Sequence, residues 1–133
     1  MDRLFLDANV LFSAAYKIDA RLLQLWDLSN VTLCSSRHAL EEARINLADE
    51  VQRVRLTKLS EVVHLFEAAH RALPRGISLP DKDRPILLAA IEARASYLLT
   101  GDVRHFGPYL NKRIEGIVIM LPGHYLRERA RKQ

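Results

Sequence analysis

Cysteine is nearly absent from the chain: Cys34 is the only one. No disulfide can form within it, and a reducing cytoplasm is the expected compartment. Long apolar runs are missing too, and none approaches the roughly 20 residues a membrane helix needs. The amino terminus has no basic stretch leading into an apolar region, so no secretory signal is visible. Phosphate-cradling glycine loops of the GxxxxGKS/T or GxGxxG type are absent. Ser35 and Ser36 lack the G-x-S-x-G setting of a hydrolase nucleophile. His38, His64, His70, His105 and His124 show no zinc-type spacing.

What remains is an ordinary globular composition, 49% hydrophobic and 27% charged over 133 residues, with no repeat or low-complexity segment. One domain over 1–126 is expected, followed by a basic tail over 127–133. The formal net charge is +4, which leans toward a polyanionic partner. Arg127, Arg129, Arg131 and Lys132 supply part of that excess, as a solvated run.

The pattern alternates strands and helices. Arg3–Asp7 is a short apolar run that stops at an acid, read as a first buried strand. Ala8–Tyr16 follows as a helix. Asp19 is placed to cap a helix over Ala20–Leu28, with Leu22, Leu23, Leu25 and Trp26 as its apolar stripe. Val31–Cys34 reads as a second strand, and Ser35 or Ser36 caps a helix over Arg37–Leu47. Within 48–75, Val51, Val54 and Lys58 repeat at helical spacing, and Val62–Phe66 either continues that helix or forms a third strand, the strand being favoured because adjacent valines fit a sheet. Pro74, Gly76 and Pro80 mark an irregular connection. Asp83 then precedes a helix with Pro85 in its first turn, where the carboxylate can cap free N–H groups. Ser96–Thr100 is a fourth strand, and Gly101 permits a sharp turn onto Asp102. A turn around Gly107 and Pro108, a strand over Ile117–Met120 and a helix from Pro122 complete the chain. Such alternation predicts a parallel α/β sheet with helices on both faces.

Asp7 and Asp102 each end an apolar strand. If those strands are neighbours where the sheet order reverses, their carboxylates converge. Each also has an ordinary alternative, Asp7 as a helix cap and Asp102 as a turn acid. Asp83 heads the helix before the fourth strand, with Asp81 as a competitor. Glu41 and Glu42 follow the second strand and point about 100° apart, so one of them can face a common site. Thr100 and Ser13 are hydroxyls near these acids. Carboxylates about 4 Å apart repel by roughly 4 kcal/mol per pair at an effective dielectric near 20. Such a cluster needs raised pKa values or a cation. A hard ion such as Mg²⁺ or Mn²⁺ is the natural one, and phosphodiester hydrolysis the chemistry it serves best.

Four segments carry a resemblance: LDANVLFSA at 6–14, ALEEARINL at 39–47, KDRPILLAAIEARASYLLTGDVRHFG at 82–107 and GIVIMLPGHYL at 116–126. Together they resemble the PIN domain family of metal-dependent ribonucleases, and more closely its VapC-like toxin branch. The resemblance implies a three-layer α/β/α fold with a parallel sheet in the order 3-2-1-4-5. It implies that Asp7, Glu42, Asp83 and Asp102 are the catalytic, metal-holding acids, with Asn9 and Thr100 in support. Many members carry a further acid shortly after the TGD motif, where this chain has Val103, Arg104, His105 and Phe106. A cognate antitoxin and a homodimer are also implied. Lys82, Arg84, Arg104 and His105 flank the acids and are candidates to hold RNA phosphates.

The leading expectation is therefore an Mg²⁺- or Mn²⁺-dependent endoribonuclease. The alternative on the same fold is an inactive RNA-binding or protein-interaction module, against which the four acids argue, because a binder of polyanions should shed converging negative charge. A phospho-receiver domain is a third class. It would need an acidic pair after strand one and a Lys after the last strand, but Asp7 is followed by Ala8 and Met120 by Leu121 and Pro122.

Overall fold

The computed structural model describes residues 1–132. Its strands are β1 (Asp2–Leu6), β2 (Val31–Ser36), β3 (His64–Phe66), β4 (Tyr97–Leu99), β5 (Arg113–Ile114) and β6 (Ile117–Met120). They form one sheet in the order β3-β2-β1-β4-β6-β5. The first five in that order pair in parallel, and β5 adds to β6 antiparallel. The expected 3-2-1-4-5 order is therefore present, β6 taking the fifth place, and a short hairpin strand extends it at one edge. That hairpin was not anticipated. Its turn is Glu115 and Gly116, both at positive φ (48° and 85°), the backbone that joins two strands most tightly.

Leu4, Phe5 and Leu6 of β1 and Leu98 and Leu99 of β4 are all fully buried. Successive residues of a strand point to opposite faces, so both faces of the sheet's centre are covered, as a three-layer fold requires. The covering helices are α1 (Ala8–Tyr16), α2 (Arg37–Asn46), α3 (Glu50–Ser60), α4 (Arg84–Glu92), the single turn α5 (Val103–Phe106) and α6 (Pro122–Arg131). Ile86 to Ala90 of α4 are all buried, matching an apolar stretch with no polar side. None of the described helices is long and apolar enough to cross a membrane.

Several expectations change. Ala20–Leu28 is a 3₁₀ helix over Arg21–Asp27, and Asp19 does not cap it. The segment is a short connector: Leu25 is fully buried, and Trp26 Nε1 donates to the Leu59 carbonyl at 3.0 Å. In α3 the helix is real, but Val51 and Val54 are exposed and Leu56 is the buried residue. Asp49, which accepts from the Val51 N–H at 2.8 Å, starts it. The third strand is shorter than expected, because β3 pairs with β2 only from Cys34↔His64 to Ser36↔Phe66. Ser36 caps α2 by accepting from Ala39 N–H, while Ser35 Oγ donates to the Leu6 carbonyl. The basic run at the end is helical rather than a tail: α6 continues through it to Arg131, with Arg127, Arg131 and Lys132 exposed. Arg129 donates to the Ser29 carbonyl at 2.9 Å, which ties the helix end to the fold, while Arg131 donates to Glu128 at 2.7 Å within the helix. Gln133 lies outside the described residues.

Candidate metal centre

The sheet order reverses between β1 and β4, and a ligand crevice is expected at their carboxyl ends. Leu6 pairs with Leu99, and Asp7 N–H donates to the Leu99 carbonyl at 3.1 Å. The next residue of each strand, Asp7 and Thr100, therefore meets the other. Thr100 Oγ1 donates to Asp7 Oδ2 at 2.7 Å, Asn9 Nδ2 donates to the same oxygen at 3.1 Å, and Ala8 N–H donates to Asp7 Oδ1 at 2.7 Å. Asn9 Oδ1 in turn accepts from Gly101 N–H at 2.8 Å. A Cβ at position 101 would stand 3.3 Å from that oxygen, so glycine here serves close approach. Thr100 Oγ1 also accepts from Asp102 N–H at 3.0 Å. Asn9 and Thr100 thus brace the loop and Asp7 together. Ser13 is exposed on α1 and takes no part.

Asp7, Asn9, Glu42, Lys82, Asp83, Asp102 and His105, together with Phe12 and Asn46, line one cleft of about 440 Å³. All four expected acids are there. Glu41 is not: its carboxylate is paired with Arg44, one helical turn on, which leaves Glu42 to face the cleft. Asp83 stands at the start of α4 but makes no capping bond. Its carboxylate is turned into the cleft, 4% exposed as a residue, and Oδ2 is buried without a hydrogen-bond partner. Lys82 Nζ lies 3.7 Å from Asp83 Oδ1. Of the other basic candidates, Arg84 lies 3.6 Å from Asp81, and neither it nor the exposed Arg104 lines the cleft.

His105 was expected only as a phosphate contact, yet it sits among the acids. Its backbone N–H donates to Asp102 Oδ1 at 3.1 Å, and its Nδ1 is 2.9 Å from Asp102 Oδ2 and 3.0 Å from Asp83 Oδ2. The last contact lacks hydrogen-bond geometry, so Asp83 Oδ2 stays unsatisfied. Ligand-type atoms of Asp83, Asp102 and His105 all lie within 4.8 Å of one another. The signal was present as Asp102-x-x-His105, a spacing that brings two side chains together on one helical turn. Zinc-type spacing among the histidines does not reveal it, because the other ligand-type groups beside His105 are carboxylates.

Electrostatics follow the geometry. Burial pushes the Asp7 carboxyl above its usual range; bonds from Thr100 and Ala8 oppose this, while the charges of Asp83 and Glu42 reinforce it. Burial also raises Asp83, with Lys82 and His105 opposing and the charge of Asp102 adding to the rise. For Asp102 burial acts upward, but the bonds from the His105 ring and backbone, with the charges of His105 and Lys82, bring it net below the usual range. Two acids are thus held in conditions that disfavour their charged forms. A buried carboxylate oxygen that accepts no hydrogen bond, beside a second carboxylate and in a cleft holding four, suits a hard divalent cation.

Comparison with known proteins agrees with this architecture. The chain is similar to the crystal structure of VapBC2 from Rickettsia felis bound to a DNA fragment from its promoter. That match has a TM-score of 0.65 at 16% identity and covers 90% of this chain and 98% of the other. It is also similar to VapBC-1 from nontypeable Haemophilus influenzae, with a TM-score of 0.57 at 16% identity, covering 91% and 98%. No curated protein matches by sequence. A PIN domain family model matches residues 3–104, a span that includes all four acids, and the chain belongs to the PIN domain family.

Proposed function

We propose that the protein is a metal-dependent endoribonuclease of the VapC-like kind, cutting RNA phosphodiester bonds with Mg²⁺ or Mn²⁺. The observation that carries this reading is the convergence of Asp7, Glu42, Asp83 and Asp102 on one cleft, with Asp83 Oδ2 buried and unpartnered. These four acids would hold the ion. A bound divalent cation lowers the pKa of water and offsets charge on the phosphate.

The chain's own residues perform the positioning. Asp7 and Asp102 follow two adjacent strands, so the sheet sets their separation, and Asn9 and Thr100 keep the Asp7 carboxylate from rotating. Lys82 puts a positive charge in the cleft, where a phosphate would otherwise meet only acids. Arg84 and Arg104 lie outside the cleft lining and would serve only RNA that extends beyond it. The similarity to VapBC structures supports a cognate antitoxin that covers this cleft, and the resemblance to the VapC-like branch supports a homodimer. A buried free thiol at Cys34 accords with work beside RNA in the cytoplasm.

The test is cleavage of a mixed RNA substrate with Mn²⁺, with Mg²⁺ and with EDTA. Cleavage that needs the cation and disappears in Asp102→Asn is the expected result. RNA binding without cleavage under every condition would replace this reading with that of an inactive binding module.

A further inference from the structure

The converging groups of the cleft include an imidazole nitrogen. His105 Nδ1 stands 2.9 Å from Asp102 Oδ2 and 3.0 Å from Asp83 Oδ2. Ligand atoms at about 2.1 Å from an octahedral ion, at right angles, are separated by about 3.0 Å. Nδ1 therefore already stands at the spacing of an adjacent ligand from each oxygen, and ligand atoms of the three side chains all lie within 4.8 Å of one another. One of the oxygens, Asp83 Oδ2, belongs to a residue 4% exposed and accepts no hydrogen bond. Lys82 approaches the other oxygen of that carboxylate and leaves Oδ2 unserved. The ring is held in place, since its own backbone N–H is bonded to Asp102 Oδ1, and Asp102 N–H is bonded to Thr100.

We propose that His105 is a nitrogen ligand in this centre and shifts its preference from Mg²⁺ toward first-row transition ions such as Mn²⁺ and Co²⁺. The inference rests on the metal-dependent reading above and adds the residue that sets which ion is favoured. The resembled family often has an acid in this stretch, which would complete an all-oxygen site. Mg²⁺ takes oxygen ligands and gives up its waters reluctantly. An imidazole nitrogen gains affinity along the series from Mn²⁺ to Co²⁺ and Ni²⁺ and offers little to Mg²⁺. Removing a histidine that only oriented Asp102 from outside the centre would lower all affinities by a common factor. The ratio between ions therefore separates the two roles.

The experiment uses the full chain, freed of metal by chelation, without RNA. Calorimetric titration with Co²⁺, Mn²⁺ and Mg²⁺ is run on the wild type, His105→Asn, His105→Asp and Asp83→Asn. The Mn²⁺-loaded wild type and His105→Asn are also measured by electron spin-echo modulation, which detects a nitrogen bound to the ion. The expected result is a ¹⁴N coupling in the wild type that disappears in His105→Asn. The Co²⁺/Mg²⁺ affinity ratio should fall about tenfold in that variant, and His105→Asp should bind Mg²⁺ more tightly than the wild type. An absent ¹⁴N coupling, a coupling that survives in His105→Asn, or an unchanged ratio with all three ions weakened alike would overturn the inference. The wild-type spin-echo result stands even if His105→Asn fails to fold. Failure of the underlying reading looks different: the wild type would bind none of the ions, or Asp83→Asn would bind them as well as the wild type does.

Discussion

The two ends of β1 each carry an aspartate, and the two are treated in opposite ways. Asp2, where the strand begins, accepts a bond from Tyr125 Oη at 2.6 Å, and Arg129 reaches that hydroxyl at 3.4 Å and the Ser29 carbonyl at 2.9 Å. Burial, with the bond to Asp2, lifts the Tyr125 phenol well above its usual range, so it stays a donor. That end is a closed polar network that ties α6 to the sheet. Asp7, one residue beyond the other end, has three donors of its own but faces Asp83 and Glu42, whose charges it feels. The difference teaches which acids serve the fold. At Asp2 the fold supplies one hydroxyl donor with Arg129 bonded behind it, whereas the cleft concentrates like charge around an oxygen that accepts no hydrogen bond.

The sharpest way to break this comparison is to neutralise the cleft acids. Asp7→Asn, Asp83→Asn and Asp102→Asn should each lower metal-dependent RNA cleavage by about two to three orders of magnitude, the usual cost of removing one preorganised electrostatic contact. Without metal, Asp83→Asn should melt higher than the wild type, because its carboxylate is the one whose oxygen goes unserved. Asp7→Asn should gain less, since an amide cannot accept from all three of its donors. Cleavage rates beside apo thermal melts check both statements. Wild-type cleavage by Asp102→Asn would make it a turn acid.

Thr100→Val comes next. It removes a donor from Asp7 and an acceptor from Asp102 N–H in a fully buried position. Metal affinity should fall about tenfold or more, and stability by about 1–3 kcal/mol, readable by titration and denaturant unfolding. Tyr125→Phe, at the closed end, should cost about 1 kcal/mol of stability and leave the cleavage rate unchanged; a drop in rate would mean that the two ends are coupled.

Acidity sharpens the contrast further. Asp7 and Asp83 have raised folded-state values, so the folded protein binds their protons more tightly than the unfolded chain does. Their penalty is fully present above the raised values and is relieved as pH falls through them toward the ordinary carboxylate range. Asp102 is lowered, so its stabilisation is lost only below that range. Chelator-treated protein should therefore gain stability on mild acidification from neutrality, and saturating divalent cation should abolish the gain. A flat profile in unfolding experiments across that interval would contradict the burial argument. The smallest effect belongs to Glu41→Gln, which breaks an exposed pair with Arg44 and should cleave RNA at nearly the wild-type rate.

Sequence alone determined the order of the main strands, the apolar helix α4 and the placement of acids after strands one and four. Those features are local: apolar runs, a proline in a first turn and a glycine before an acid act within a few residues. The resemblance supplied the sheet order and the choice of Glu42. Three things were decided only by tertiary structure. Val51 and Val54 look like a buried stripe, yet exposure depends on what lies opposite a helix, and for α3 it is Leu56 that meets the core. Asp83 reads as a cap, but its carboxylate turns toward Asp102 and His105 from another part of the chain. His105 stands only three residues from Asp102, but its distance from Asp83 depends on how α4 and α5 pack. Local patterns encode which backbone a segment prefers; which side chains then share a cleft, and which oxygen is left unpaired there, depends on contacts between residues far apart in the chain.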